Sequence, residues 1–115
     1  MRVEVACSLK SRLRGLLGRD AFEGVLLLVP CNDVHTFGMR RSIDVAFVSS
    51  EGEVLRSCRQ VGARRRLRCK AAYATLERIA APAEWPDVGD YVNLKEMLQS
   101  AMKEKAQEKE ARKLP

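Results

Sequence analysis

Residues 43–57 read IDVAFVSSEGEVLRS, and this stretch decides the fold. Side chains alternate between two faces from Ile43 to Val48, which is the period of a β-strand. One face carries Ile43, Val45 and Phe47, and the other carries Asp44, Ala46 and Val48. Residues 49–52 have the composition of a turn, and Glu53 to Ser57 returns as the antiparallel partner. The stretch therefore predicts a β-hairpin within a mainly β domain.

Further strands are predicted on both sides of this hairpin. They are Arg2 to Cys7, Gly24 to Pro30, Val34 to Met39 and the short closing strand Asp90 to Val92. Ala71 to Ile79 fits either a strand or a helix by propensity. A short helix is expected near Ser11 to Gly18, because leucines recur there at helical spacing, Ser8 or Ser11 can cap it and Gly18 can end it.

The C-terminal segment differs in kind from the rest of the chain. Asn93 followed by Glu96 is a helix-capping signature. Apolar side chains then recur on one helical face: Leu94, Met97, Leu98, Ala101 and Met102. Nearly all residues from Lys103 to Lys113 are charged. We therefore predict a β domain over 1–92 and a C-terminal amphipathic helix with a charged tail over 93–115, which docks by its first half and frays into solvent beyond it.

Composition places the chain among small globular proteins. It has 115 residues, 46% of them hydrophobic, and a net charge of +6. The start, MRVEVACSLK, lacks the apolar segment of a signal peptide. The longest apolar run, Val25 to Cys31, is far shorter than the roughly 20 residues of a membrane span. We expect a cytoplasmic monomer that does not span a membrane and keeps its four cysteines reduced.

Several short motifs occur in a fixed order along the chain. They are Arg12-x-Arg14-Gly15-Leu16-Leu17, Gly24-Val-Leu-Leu-Leu, VHTFGMR followed by IDVAFV, Gly52-x-Val54, Ala72-Tyr73-Ala74-Thr75-Leu76-Glu77 and Gly89-Asp90. In this order they resemble the DUF192 family over roughly residues 1 to 92. The resemblance implies a compact, sandwich-like or barrel-like sheet, hence a mainly β (α+β) single domain with one short helix and an added C-terminal helix. It implies no particular activity, because the molecular function of the family is not established.

Asp44 is a carboxylate in an otherwise apolar strand. A carboxylate that faces a core costs several kcal/mol unless it is paired or hydrogen-bonded. Arg14, Arg40 and Arg41 are candidate partners, and the role of such a pair, or of a cap on backbone N–H groups, would be architectural. The other interpretation makes Asp44 one wall of a small polar pocket.

The predicted pocket gathers polar residues of the same motif. Its members are His35, Thr36, Met39, Arg40, Asp44, Glu77 and Arg14. Glu77 stands alone among apolar residues and can face Arg12 or Arg14. If Asp44 and Glu77 lie close together, the two carboxylates could do acid–base work.

Cys31 and His35 are the weak candidates for a metal or thiol site. Zinc needs three or four converging ligands, and Cys58 and Cys69 could join them, but the chain has no C-x-x-C pair. A nucleophilic Cys31 would need His35 as its base and Asp33 or Asp44 to orient the ring. The simpler interpretation makes Cys31 a small buried residue and His35 a partly exposed one. We therefore expect no metal and no cofactor.

Arg56 to Lys70, RSCRQVGARRRLRCK, contains no acidic residue. Its candidate anion-binding side chains are Arg64, Arg65, Arg66 and Arg68. They could contact a nucleic-acid backbone, an anionic membrane surface or an acidic protein, or they could form a solvated face. Aromatic residues make up only 5% of the chain, which argues against base-specific recognition.

These observations support three functions in a definite order. The first is a non-catalytic binding or accessory module that uses the polar pocket. The second is an anion-binding or nucleic-acid-backbone-binding protein that uses Arg56 to Lys70. The third is an enzyme built on Cys31 and His35.

Overall fold

The computed structural model describes residues 2–113, apart from the side chain of Leu9, as seven strands and two helices. The strands are β1 (Val3–Ala6), β2 (Val25–Leu28), β3 (Asp33–His35), β4 (Ile43–Val48), β5 (Val54–Val61), β6 (Arg66–Arg68) and β7 (Ala74–Ile79). The helices are α1 (Leu9–Arg14) and α2 (Leu94–Arg112). The last two residues of the predicted unit 93–115 lie outside the described residues. The predicted mainly β, α+β single domain is confirmed.

Five strands form one sheet in the order β1-β2-β7-β4-β5. β1 is parallel to β2, and the other neighbours are antiparallel. β4 is hydrogen-bonded on both edges, and every residue of IDVAFV is buried because a core packs on each face of the sheet. β3 and β6 form a separate two-stranded antiparallel ribbon. The predicted hairpin is therefore β4–β5, at one side of the sheet.

The two faces of the sheet bury two different cores. Val45 and Phe47 face a core closed by Leu16, by Val34 of β3 and by Leu67 of β6. The opposite face packs against α2, and its core contains Ala46, Val48, Leu76 and Ala101. The domain is thus three layers: the ribbon, the sheet and α2. Alternate side chains of β4 therefore belong to different cores, with Val45 and Phe47 on the ribbon side and Ala46 and Val48 on the α2 side.

The prediction of a helix ending at Gly18 was wrong. α1 ends at Arg14, because Gly15 leaves the helical conformation with φ 52° and ψ −129°. Ser8 is the N-cap, and its side chain accepts from the Ser11 N–H at 3.1 Å. Leu16 lies in the turn after the helix and is buried there.

The strand bounds also differ from the prediction in places. β3 ends at His35, because the Met39 N–H turns back to the Thr36 carbonyl at 3.1 Å. β5 runs on to Val61. The predicted closing strand at 90–92 is only an isolated bridge between Glu53 and Tyr91. The segment 74–79 is a strand and not a helix.

Helix α2 docks by its first half and stays helical beyond it. Asn93 caps it by accepting from the Glu96 N–H at 2.9 Å, and Leu94, Met97, Leu98 and Ala101 join the second core. Met102 is 71% exposed and does not dock. Residues 103 to 112 are helical in the structure, because Lys, Glu, Ala, Gln and Arg are strong helix formers, and the fraying of this half stays a prediction. Within residues 2–113, neither helix combines the length and hydropathy that a membrane span requires.

Candidate functional site

A small cavity of about 40 Å³ lies between α1, β3 and the sheet. Buried side chains form its floor: Leu16, Val34, Met39, Ile43 and Glu77. Arg12, Arg14 and His35 stand at its mouth. Glu77 therefore shares a cavity of mixed polar and apolar lining with basic side chains and with Asp33, whose charge is paired with Arg66.

Glu77 is the buried acid at the floor of this cavity. Its register partners are Leu26 of β2 and Val45 of β4, and both belong to the ribbon-side core, so Glu77 points into that core as well. Glu77 is only 3% exposed, and its Oε1 has no hydrogen-bond partner. Burial raises the pKa of Glu77 to about 7, and a hydrogen bond from the Leu16 backbone acts in the opposite direction. Near neutral pH, Glu77 therefore exists in both the protonated and the ionised form.

Gly15 forms the wall against Glu77. A Cβ atom at Gly15 would lie 2.7 Å from Glu77 Oε1, and the φ of +52° disfavours other residues. The turn that ends α1 then carries Leu16 over the carboxyl group. We did not predict Gly15 and Leu16 as site residues, although the Arg14-Gly15-Leu16 motif marks a basic helix end followed by a forced turn.

The two arginines at the mouth are held by backbone carbonyl groups. Arg12 Nη1 donates to the Pro30 carbonyl at 2.7 Å, and Arg14 Nε donates to the Leu17 carbonyl at 3.2 Å. Among the described residues, neither arginine forms an ion pair with Glu77. Glu77 therefore lines the same cavity as Arg12 and Arg14, as the prediction that it faces them requires, but the contact is not a salt bridge.

The other predicted pocket residues divide between the cavity and its surroundings. His35 and Met39 line the cavity. Thr36 is buried outside it, where its hydroxyl group accepts from the Arg65 N–H at 2.8 Å and so fixes the loop before β6. Arg40 is exposed and does not line the cavity.

Asp44 lies on the opposite face of the sheet from Glu77. It is fully buried, and Arg78 Nε donates to its carboxylate at 2.8 Å. The Gln60 N–H donates to the same carboxylate at 2.9 Å. The two acids therefore do not form the acid–base pair considered above, and the nearest cations are not those expected from sequence.

A β-bulge explains why a carboxylate is needed at Asp44. The β4–β5 register shifts between Ile43 and Val45, and Gln60 takes a φ of 52°. An extra residue in one strand leaves an N–H without a ladder partner. Asp44 satisfies that N–H and neutralises Arg78, which makes its role architectural.

Cys31, Asp33 and His35 do not form a relay. The Cys31 thiol donates to the Asp33 carbonyl at 3.5 Å, and His35 Nδ1 accepts from the Phe37 N–H at 3.3 Å. The Asp33 carboxylate is bound by Arg66 at 2.6 Å, a contact that holds the pKa of Asp33 below its usual value. Across residues 2–113, no three His, Cys, Asp or Glu side chains converge as metal ligands would.

The basic stretch is partly neutralised within the fold. Arg59 Nη2 donates to the carbonyl groups of Ala81 and Ala83, and Arg66 pairs with Asp33. The guanidinium groups of three other arginines are exposed and make no hydrogen bond to the described part of the chain: Arg64, Arg65 and Arg68. Arg64 and Arg65 precede β6, and Arg68 is the last residue of this strand, which the sequence did not predict.

Two solved structures share the fold. One is a protein of unknown function from Novosphingobium aromaticivorans DSM 12444, with a TM-score of 0.61, 18% identity and coverage of 71% of this chain and 64% of that one. The other is named "putative transcription regulator" and comes from Sinorhizobium meliloti 1021, with a TM-score of 0.61, 17% identity and coverage of 68% and 67%. The present chain thus spans about two thirds of each, and at this identity the likeness concerns the fold.

The comparison with curated proteins gives no match. The model of the DUF192 family, described as "Uncharacterized ACR", matches residues 1–87. This range contains the sheet, the ribbon and every residue of the cavity, and it ends before α2. Since the match covers most of the chain, this protein belongs to the DUF192 family.

Proposed function

We propose that this protein is a non-catalytic binding module that receives the anionic tip of a small ligand in the cavity over Glu77. The observation that carries the proposal is the buried Glu77 Oε1, which has no partner and lies at the end of a cavity. Buried polar atoms almost always have a hydrogen-bond partner, so an unpartnered carboxyl oxygen on a residue that lines a cavity supports a ligand site there.

The charges around the cavity indicate which ligand fits. When it is protonated, Glu77 donates a hydrogen bond and attracts an acceptor atom. Arg12 and Arg14 at the mouth favour a negative charge. A carboxylate has both features, since one oxygen can accept from Glu77 while its charge stays close to the arginines.

The size of the cavity limits how much of the ligand enters. About 40 Å³ admits only a terminal group, whereas pockets that enclose a whole ligand hold roughly 300–1,000 Å³. An open groove of about 330 Å³ adjoins the cavity and shares Arg12, Leu13 and Asp33 with it. The body of the ligand would lie in this groove, against Tyr73.

The test is a titration of the ¹⁵N-labelled protein with acetate at several pH values. We expect the amide signals of Gly15 and Leu16 to shift below pH 7, and the shift to disappear as Glu77 ionises. Glu77→Gln cannot ionise but still donates a hydrogen bond, so it should bind acetate independently of pH. The exposed substitution Glu23→Gln is the matched control and should behave as the wild type. Unmoved Gly15 and Leu16 signals, or an effect that does not depend on pH, would refute the proposal.

A second candidate function is the binding of an anionic polymer through the ribbon. The observation that favours it is the exposure of Arg64, Arg65 and Arg68 without acceptors in the described structure. The logarithm of the binding constant for duplex DNA falls linearly with the logarithm of the salt concentration, with a slope of about −0.9 for each phosphate contact.

Fluorescence anisotropy with a labelled DNA duplex tests this second function. Replacing Arg64, Arg65 and Arg68 by Ala should weaken binding and flatten its dependence on salt. The matched control removes three positive charges from the solvated half of α2: Lys105, Lys109 and Arg112. An equal loss in both triple variants would mean that net charge, and not the ribbon, attracts the DNA.

A further inference from the structure

An open groove of about 660 Å³ lies beside the loop of residues 80–93, which leads into α2. Apolar and aromatic side chains of this loop form much of its lining: Trp85, Pro86, Tyr91 and Val92. Tyr91 is 70% exposed, and Val88 of the same loop is 61% exposed. The groove therefore presents aromatic and apolar surface to solvent, and it shares no lining residue with the Glu77 cavity.

The loop carries negative charge, although the protein as a whole is basic. Between Ile79 and Leu94 the chain contains no lysine or arginine, whereas its net charge is +6. The acidic residues of this segment are Glu84, Asp87 and Asp90, and the first and last of them line the groove. Within residues 2–113, none of these three carboxylates forms an ion pair. A positively charged partner would therefore meet uncompensated negative charge in this groove.

The loop is held by hydrogen bonds to its backbone, so the groove exists before a partner binds. Arg78 Nη1 donates to the Glu84 carbonyl at 2.9 Å, and Ser57 Oγ donates to the Pro86 carbonyl at 2.7 Å. Arg59 is the one basic residue among those that line the groove, and its Nη2 donates to two further carbonyl groups of the loop. A preformed surface of this kind loses little conformational entropy when it binds.

The edge of β5 beside the loop is not free to pair with an added strand. The Val54 N–H donates to the Asp90 carbonyl at 2.8 Å, and the Val54 carbonyl accepts from the Gly89 N–H at 3.0 Å. Recognition by β-augmentation, which uses unpaired N–H and carbonyl groups at a sheet edge, is thus blocked at this position. A polyproline II segment needs no sheet edge, because it packs its prolyl rings against aromatic side chains.

We propose that this groove binds a proline-rich peptide segment that carries arginine or lysine side chains. The prolyl rings pack against Trp85 and Tyr91, and the basic side chains lie close to Glu84 and Asp90. An acidic segment of the same shape is repelled by these two carboxylates. The site is independent of the Glu77 cavity, which suits an anion.

The probe is a peptide with blocked ends and the sequence PPRPPRPP, titrated into the ¹⁵N-labelled protein. We expect saturable shifts of the Asp90 and Tyr91 amide signals and a change in the fluorescence of Trp85, which is the one tryptophan of the chain. The amide signals of Gly15 and Leu16, at the Glu77 cavity, should not move. Higher salt should weaken binding, because it screens the charges.

Two further peptides separate the contributions of charge and of proline. PPEPPEPP has the same backbone preference but the opposite charge, and GGRGGRGG has the same charge but no prolyl ring. Each should bind much more weakly than PPRPPRPP. Equal binding of GGRGGRGG would show that charge alone attracts the peptide, and equal binding of PPEPPEPP would show that the carboxylates play no part.

The aromatic contact is tested by Tyr91→Ala. This substitution should weaken binding of PPRPPRPP by roughly fivefold or more, the loss expected of an aromatic anchor in an interface. Because Tyr91 is exposed, the fold should be unchanged, which circular dichroism checks. Tyr73→Ala removes the other tyrosine of the chain, at the groove beside the Glu77 cavity, and should bind the peptide as the wild type does.

The charge contact is tested by the double variant Glu84→Gln/Asp90→Asn. It should weaken binding and flatten its dependence on salt. The matched control, Glu23→Gln/Glu110→Gln, removes the same charge from exposed positions that do not line the groove, and should change neither. The proposal is overturned if PPRPPRPP does not bind at millimolar concentration, if either further peptide binds equally well, or if both groove variants bind as the wild type does.

Discussion

Replacement of Asp44 by Asn should destabilise the protein strongly. Asp44 is fully buried, and its carboxylate accepts from both Arg78 and the Gln60 N–H. Asn has nearly the same shape but one acceptor oxygen instead of two. One of these donors would then face an amide NH₂, and the charge of Arg78 would lose its counter-charge.

The size of the effect follows from burial. The side chain of Arg78 is 11% exposed, so water can replace little of the lost interaction. Removing one partner of a buried ion pair costs about 3–5 kcal/mol. A domain of this size has a total stability of roughly 5–15 kcal/mol, so Asp44→Asn should lose about a fifth or more of it. The melting temperature should fall by ~10–25 °C.

Urea unfolding gives the free energy, with circular dichroism and the fluorescence of Trp85 as two probes. Asp33→Asn is the matched control. Its ion pair with Arg66 is shorter, at 2.6 Å against 2.8 Å for Asp44 and Arg78, but Arg66 is exposed to solvent and Asp33 is partly exposed. The control should therefore leave the unfolding midpoint almost unchanged. A loss below about 1 kcal/mol for Asp44→Asn, the average for any point substitution, would refute the reasoning from burial.

Three further predictions concern Glu77, Gly15 and α2. Because burial raises the pKa of Glu77 to about 7, the folded state holds a proton that the unfolded state releases from about pH 4.5 upward. The free energy of unfolding of the wild type should thus fall by about 3 kcal/mol between pH 4.5 and 7, relative to that of Glu77→Gln. Urea midpoints of the two proteins that run parallel over this pH range would contradict the raised pKa of Glu77. Gly15→Ala should cost about 1–3 kcal/mol, because it adds strain at positive φ and a contact with Glu77 Oε1; an unchanged melting temperature would contradict it. Amides from 103 to 112 should exchange with deuterium far faster than those of β4, since that half of α2 lacks core contacts, and equal protection would show that it is docked.

The sequence predicts those elements whose signals are local. β4 has the predicted bounds, because five of its six residues are apolar and lie on both faces of the chain, as expected of a strand that is buried on both faces. β6 was not predicted, since two of its three residues are exposed arginines and only Leu67 is buried. Its identity as a strand comes from pairing with β3, a contact between segments far apart in the chain.

The candidate site was only partly predictable for the same reason. Four of the seven residues predicted to form the pocket meet at one cavity: Arg14, His35, Met39 and Glu77. Asp44 was grouped with them, but the β4–β7 register places Val45, and not Asp44, opposite Glu77. A shift of one residue moves a side chain to the other face of a sheet, and this register is not readable from one sequence.

The position of β7 has a consequence for how the chain folds during synthesis. β7 is the last strand to be made, yet it is hydrogen-bonded between β2 and β4. The β4–β5 hairpin can form early because its strands are adjacent in sequence. The pairing of β2 with β7, in which Leu26 lies opposite Glu77, can form only after β7 has been synthesised. Until residue 79 leaves the ribosome, β2 and β4 each expose an unpaired apolar edge. A translational pause shortly before that residue would prolong the aggregation-prone stage of this nascent chain.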